Sequence, residues 1–303
     1  MNSSKIILAA SDLSEQSALA LGRAAQLARA QGAQLELLHV VETSPIAELP
    51  APLRDAFGAS ALQQQIEEAR QHLERQARQT LGGTIAWHCR VETGKDFVAI
   101  IRGARQSSAD LIVLGAHGSH ALRDLFLGTT AEKVVRKADR PVLVVKKPTL
   151  APYRRVLVAT DFSAAARQAL LVALPLAPEA RFDLLHVQTP WGEGLPSLAG
   201  IEDPTRQRYQ QQLGDWVASS MTEWLRGIAF GARPCLRHVR QGRPGILIPQ
   251  MAEEVGADLL VMGSAGLSGL ASSLLGSVAE HVLRAAPCDL LLVRPPDFHF
   301  ELP

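Results

Sequence analysis

Apolar residues in this chain fall into short unbroken runs separated by stretches in which they recur at helical spacing. KIILAA (5–10), AQLELLHVVE (33–42), WHCRVETG (87–94), DLIVLGAHG (110–118) and RPVLVVKK (140–147) have strand length. Between them, SEQSALALGRAAQLARAQG predicts a helix ending at Gly32, and GASALQQQIEEARQHLERQARQTLGG sets Leu62, Ile66, Ala69, Leu73 and Ala77 on one helical face. DFVAIIRGARQSSA and TTAEKVVRKAD complete four helices for five strands. Strands that are apolar on both faces and alternate with helices imply an open, mostly parallel sheet with right-handed crossovers.

The same order then recurs. RRVLVATD, a helix from about Ser163, RFDLLHVQ, RYQQQLGDWVASSMTEWLRG, CLRHVRQG, PGILIPQMAEEVGA, DLLVMGSAG, SVAEHVLRAAP and CDLLLVRPP repeat the series, so the chain reads as a duplicated domain. Gly115 and Gly263, Gly118 and Gly266, Gly128 and Gly276, Glu132 and Glu280, and Gly94 and Gly242 are each 148 positions apart. Nearby offsets pair Asp12 with Asp161 and His39 with His186. KKPTLAPYRR, with Pro148 and Pro152, suits a short extended linker. The expected domains are residues 1–148 and 152–296. TSPIAELPAPL (43–53) and WGEGLPSLAGIEDPT (191–205) read as loops at matching places. Tyr209, Trp216 and Trp224 share helical spacing with Leu213, Val217 and Leu225, which favours core packing over a base-stacking platform.

Composition narrows the function classes. The 303 residues are 47% hydrophobic and 20% charged, with a net charge of +1, too balanced for a general nucleic-acid or membrane-surface protein. Cys89, Cys235 and Cys288 lack metal or disulfide spacing and read as free buried thiols. The amino terminus is too short in apolar residues for a signal peptide, and no stretch has the length of a membrane span, so a cytoplasmic location is expected. There is no P-loop, nucleophile elbow or zinc-protease helix. No catalytic or metal-ligating residues are assigned, and no dedicated hydrolase is expected.

Ligands of such sheets bind beyond the carboxyl ends of the strands, at the switch in chain direction. Three signals fall there in each half. A carboxylate follows the first strand, Asp12 in AASDLS and Asp161 in VATDFS, and either binds a ligand amine or hydroxyl or closes an Asx-turn before a helix. After the second strand, the backbone at His39-Val40 and His186-Val187 is placed to read a purine edge, the histidines themselves being structural. Last, GAHGSHALRDLFLGTT and GSAGLSGLASSLLGSV share G-x-x-G, nine residues, then Gly and Ser or Thr. Gly115 and Gly118 permit positive φ and close approach to a ligand, while Gly128-Thr129-Thr130 and Gly276-Ser277 open helices whose free N–H groups favour an anion.

On these motifs, with the closing segments AEKVVRKADRPVLVVK and AEHVLRAAPCDLLLVR, both halves resemble universal stress protein domains of the UspA type, and the chain resembles the tandem members of that family over about 290 residues. The resemblance implies two open five-stranded parallel-sheet domains, Rossmann-like and akin to the adenine nucleotide alpha hydrolases. They would pack as an intramolecular pseudo-dimer through their fifth strands, and a further homodimer is left open. It implies ATP or AMP, with or without magnesium, adenine being contacted by the aspartate and the residue after the histidine, and ribose and phosphates by the glycine loop. Those roles fall to Asp12, Val40, Gly115, His117, Gly118, Gly128, Thr129 and Thr130, and to Asp161, Val187, Gly263, Gly266, Gly276 and Ser277. The second loop lacks the His117, His120 and Arg123 of the first, so phosphate is expected to bind more tightly in the amino-terminal half. The rival reading is a carrier of an apolar or acyl ligand enclosed by loops 43–58 and 190–205; a third is an adaptor with empty sites.

Overall fold

The computed structural model describes residues 5–42, 51–116, 128–148, 151–189, 203–264, 275–295 and 298–302. The first half contains β1 (Ile6–Ala10), α1 (Glu15–Gln31), β2 (Gln34–Val41), α2 (Ala51–Leu81), β3 (Trp87–Thr93), α3 (Asp96–Gln106), β4 (Leu111–Gly115), α4 (Thr129–Lys137) and β5 (Val142–Val145). The second contains β6 (Arg155–Ala159), α5 (Ala164–Leu176), β7 (Arg181–Gln188), α6 (Asp203–Trp224), β8 (Cys235–Gln241), α7 (Pro244–Glu254), β9 (Leu259–Gly263), α8 (Ser277–Ala285) and β10 (Asp289–Val293).

All ten strands lie in one sheet of order β3-β2-β1-β4-β5-β10-β9-β6-β7-β8. Within each half every pairing is parallel, and the two five-stranded halves have the same internal order. They meet antiparallel, Val142 opposite Leu292, Leu143 opposite Leu291 and Val144 opposite Leu290. Each face of the sheet is covered by one apolar cluster that runs across both halves. Leu35, Leu37, Val156 and Val158 belong to one cluster, and Leu8, Leu38, Leu157 and Leu185 to the other. The apolar runs are therefore continuous because both faces of these strands are buried.

Helix ends follow from local chemistry. Ser14 and Ser163 cap α1 and α5 by accepting from the N–H groups of Ser17 and Ala166, and Gly32 ends α1 in the left-handed conformation at φ 62°. Two expectations change. Helix α2 begins at Ala51 and α6 at Asp203, inside stretches read from their proline and glycine content as loops. Trp216 is 56% exposed, because the buried stripe of α6 runs through Val217, Met221 and Trp224 instead. The side chain of Tyr209 and the residues 43–50 and 190–202 lie outside the described set. All three cysteines are free thiols, but Cys89 and Cys235 are only half-buried. Burial pushes Cys288 up to about 12 and Cys89 to about 11, which leaves both protonated and unreactive at neutral pH.

The seam between halves is reciprocal. Lys146, just past β5, donates to the carbonyls of Leu283 (2.8 Å) and Ala286 (2.9 Å) at the end of α8. Its repeat equivalent Arg294, just past β10, donates to the carbonyls of Val135 and Arg136 at the end of α4. Each basic side chain thus caps the partner half's helix where the dipole is negative. Between α4 and α8, Arg136 reaches Glu280 (3.2 Å) and Arg284 reaches Glu132 (3.5 Å), again exchanged equivalents. Beneath lies a fully buried group without such symmetry: Asp289 meets Arg23 Nε at 3.3 Å, the Tyr153 hydroxyl at 2.7 Å and the backbone N–H of Lys146 at 2.9 Å. The Arg23 guanidinium lies 4.3 Å from the Tyr153 ring centre. The carboxyl-terminal segment returns to the first half, where the Phe300 carbonyl accepts from Arg105 and Leu302 joins the apolar cluster.

Two outcomes test this seam. Asp289→Ala strands the buried Arg23 charge and should lower unfolding free energy by about 3–5 kcal/mol in urea titrations followed by circular dichroism; a loss under about 1 kcal/mol contradicts the assignment. Burial brings Lys146 down from 10.5 to about 8, against the opposing pull of Cys288 and Asp289. Between these two values the unfolded chain holds a proton that the folded chain has lost, so the Lys146 contribution to stability rises with pH across that window. Nuclear magnetic resonance of the ¹³C-methylated chain should show one lysine signal titrating near pH 8. That signal should be missing from Lys146→Arg, and a midpoint at 10 or above would contradict the burial.

Candidate functional site

Strand β1 lies between β2 and β4, and β6 lies between β7 and β9, so the chain reverses its winding beside each of them. Past Ala10 and past Ala159 the loop opens a crevice. In both halves it begins with two interlocked turns. The Leu13 N–H donates to Ser11 Oγ (3.0 Å) and the Ser14 N–H to Asp12 Oδ1 (3.1 Å). The Phe162 N–H donates to Thr160 Oγ1 (2.9 Å) and the Ser163 N–H to Asp161 Oδ1 (3.0 Å). Leu13 and Phe162 both sit at φ 66°, a left-handed conformation that costs a side-chain-bearing residue roughly 1–2 kcal/mol. Each aspartate therefore does form an Asx-turn, and the helix cap proper is the serine two residues on.

These turns are fastened from outside the sheet. Gln76 Nε2 of α2 donates to the Ser14 carbonyl (2.8 Å), and Trp224 Nε1 of α6 donates to the Ser163 carbonyl (3.1 Å), the same attachment made by an amide in one half and an indole in the other. His39 Nδ1 donates to the Ser11 carbonyl (2.8 Å) and His186 Nδ1 to the Thr160 carbonyl (2.9 Å). The histidines are thus structural, tying the second strand to the first loop, and the His186 ring stacks on Phe162 with centroids 4.4 Å apart. Strand pairing with β1 ends at Leu38 and with β6 at Leu185, whereas β2 and β7 run on past Val40 and Val187. On that side the strand edge faces the crevice.

The far wall is the glycine segment. Gly128 and Gly276 stand at the N-caps of α4 and α8, neither helix has a side-chain cap, and both glycines are extended, at φ −60° and −62°. The Gly128 N–H donates to the Ala116 carbonyl (2.8 Å) and the Gly276 N–H to the Ser264 carbonyl (2.9 Å), which brings each helix start onto the end of β4 or β9. Positive φ occurs instead at Gly94 (120°) and Gly242 (147°), whose N–H groups close onto the carbonyls of Val41 and Gln188 at the ends of β2 and β7. At Gly263 a Cβ would lie 2.9 Å from the Ala166 nitrogen and 3.0 Å from Ala165, so its smallness also admits α5 close to β9.

In the second half these parts enclose a cavity of about 180 Å³. Asp161, Val187, Gly263, Gly276 and Ser277, named from sequence, all line it, whereas Gly266 lies outside the described residues. Thr160, Pro244, Ile248, Met262, Ser264 and Val278 line it too and were not anticipated. In the first half Asp12 and Thr129 are exposed, and Val40, Gly115, Gly128 and Thr130 are half-buried around the equivalent strand ends; His117, Gly118, His120 and Arg123 lie outside the described residues. The Thr130 hydroxyl is engaged, donating to Asp96 Oδ2, while Asp96 Oδ1 accepts from the Phe97 N–H (2.6 Å). Among the described residues no helix is long and apolar enough to cross a membrane, and no group of three or more His, Cys, Asp or Glu side chains is placed to hold a metal ion.

The architecture and the doubled crevice have relatives. A universal stress protein from Mycolicibacterium smegmatis is 28% identical over 297 residues, spanning 95% of this chain and 97% of that one. A universal stress protein E homologue from Haemophilus influenzae is 24% identical over 96% of this chain and 97% of its own length. The crystal structure of a universal stress protein from Archaeoglobus fulgidus shares the fold at a TM-score of 0.61 and 21% identity, covering 95% of this chain and 98% of that one. The sequence profile of the universal stress protein family matches twice, at residues 3–146 and 152–294. With both copies of the crevice inside those matches, the chain belongs to the universal stress protein family as a tandem member.

Proposed function

We propose that the protein binds an adenine nucleotide, ATP or AMP, and works in the cytoplasm as a nucleotide-dependent sensor or regulator in stress responses. One observation carries the reading: the second-half cavity gathers Asp161, the Val187 strand edge and the open amino terminus of α8 around one space. An exocyclic amine of the purine would donate to the Asp161 carboxylate, its ring nitrogens would meet the backbone at Val187, and phosphate oxygens would accept from the N–H groups of Ser277 and Val278, just past Gly276. Leu185, Ile248 and Met262 supply apolar walls for the ring. Magnesium enters this reading with the phosphates. The chemistry assigned is binding, and no bond-breaking step is given to any side chain.

The apolar walls also suit the rival, an acyl or other nonpolar ligand. Native mass spectrometry of the purified chain separates the two by the mass that accompanies it.

Asp161→Asn is the sharper test, since the amide oxygen still accepts from the Ser163 N–H and keeps the turn while the carboxylate is lost. Calorimetric titration should show ATP bound about tenfold more weakly, with the ligand-free melting temperature nearly unchanged. Equal affinity in the variant and the parent would overturn the adenine assignment.

A further inference from the structure

The two crevices share a backbone and differ in the side chains that would meet a ligand. Ala116 and Ser264 occupy equivalent places one residue past β4 and β9. Their N–H groups donate to Val145 and Val293 at 2.9 Å, and their carbonyls accept from Gly128 and Gly276. Only the side chain distinguishes them. Ser264 is 1% exposed, it lines the cavity, and its Oγ has no hydrogen-bond partner among the described residues. A hydroxyl sealed from solvent in that way carries a desolvation cost, and the cavity it lines is where a partner for it can enter.

A second difference concerns charge. Asp96 stands at the start of α3, where Pro244 stands at the start of α7, and Thr130 stands in α4 where Val278 stands in α8. In the first half the Asp96 carboxylate is bonded to Thr130, so a fixed negative charge occupies the amino terminus of α4. The corresponding pair in the second half, Pro244 and Val278, is neutral and lines the cavity. The preceding residues, Lys95 and Arg243, are both cationic and exposed, so they do not distinguish the two sites.

We infer that the nucleotide's phosphate is taken by the second half alone, with Ser264 Oγ donating to a ligand oxygen, and that Asp96, held by Thr130, bars phosphate from the first half. The inference rests on the nucleotide reading of the crevice. It reverses the preference suggested by the basic residues of the first glycine loop. The first half is then an anion-excluding copy whose helix terminus carries a carboxylate of the protein's own. A ligand phosphate close to the Asp96 carboxylate would bind at least about tenfold more weakly than the same phosphate beside Pro244.

Calorimetric titration of the full chain with ATP in excess magnesium tests both parts, beside Ser264→Ala and Asp96→Asn, each first checked for an unchanged ligand-free melting temperature. Asp96→Asn keeps the shape and one acceptor oxygen for the Phe97 N–H, and its amide group can donate to the Thr130 hydroxyl oxygen, so it removes the charge and preserves the fold if Asp96→Ala does not. The parent should bind one equivalent of ATP, Ser264→Ala should weaken that event roughly three- to tenfold, and Asp96→Asn should add a second, weaker event. Two equivalents bound by the parent, an unchanged affinity in Ser264→Ala, or a single event in Asp96→Asn would overturn the inference while leaving the crevice reading intact. No ATP binding by any of the three chains would overturn both.

Discussion

The antiparallel pairing of β5 with β10 is the contact on which the remainder depends. Four consecutive buried apolar residues from each strand meet there, and the pairing converts two open sheets into one with a single outer edge on each half. An unpaired apolar edge strand at that place would present its backbone donors and acceptors to any other chain. Because the strands run antiparallel, each half's fourth helix is brought beside its counterpart. That is why Lys146 and Arg294 can exchange caps, and why Arg136 and Arg284 can exchange glutamates. The seam also fixes the outward direction of both crevices, since β4 and β9 flank the two paired strands.

Covalent fusion frees this seam from the symmetry that a homodimer would impose. In a true two-fold interface every residue faces its own copy's partner. Here Asp289 is matched in the repeat by Pro141, and the buried cluster of Arg23, Tyr153 and Asp289 exists on one side only. Burial drives the Tyr153 hydroxyl well above its usual range, so it stays a donor to that carboxylate. The crevices have diverged under the same freedom: identical backbone hydrogen bonds at Ala116 and Ser264 carry different side chains, and the glycine framework carries a carboxylate bonded to a hydroxyl in one copy and an apolar pair in the other.

Much of this was legible in the sequence because the strands are buried on both faces and so appear as uninterrupted apolar runs. VLVV and DLLLV were recognisable at sight, as was the left-handed stop at Gly32. What the sequence hid depended on contacts between distant segments. The close approach of Ala165 and Ala166 to Gly263 depends on segments far apart in the chain, and Trp216 shares helical spacing with buried neighbours yet faces outward. The amino ends of α2 and α6 carry loop-forming residues and are nonetheless helical. Ser264 stands between the glycines of a motif that both copies share, and the signal for it and for Asp96 lies in the positions at which the copies differ, Ser264 against Ala116 and Asp96 against Pro244.

The distance along the chain between β5 and β10 has a consequence for biosynthesis. When β5 is complete, its partner strand lies about 145 residues further on, and at ordinary rates of elongation roughly 7–30 s pass before it emerges from the ribosome. Throughout that interval the first half has all five of its strands and an uncovered edge. Neighbouring nascent chains on one messenger expose the same edge, and two such edges are mutually complementary in the antiparallel sense. Fusion thus secures the correct partner by tethering it, and places the period of greatest exposure to exchange between chains before the second half has been made.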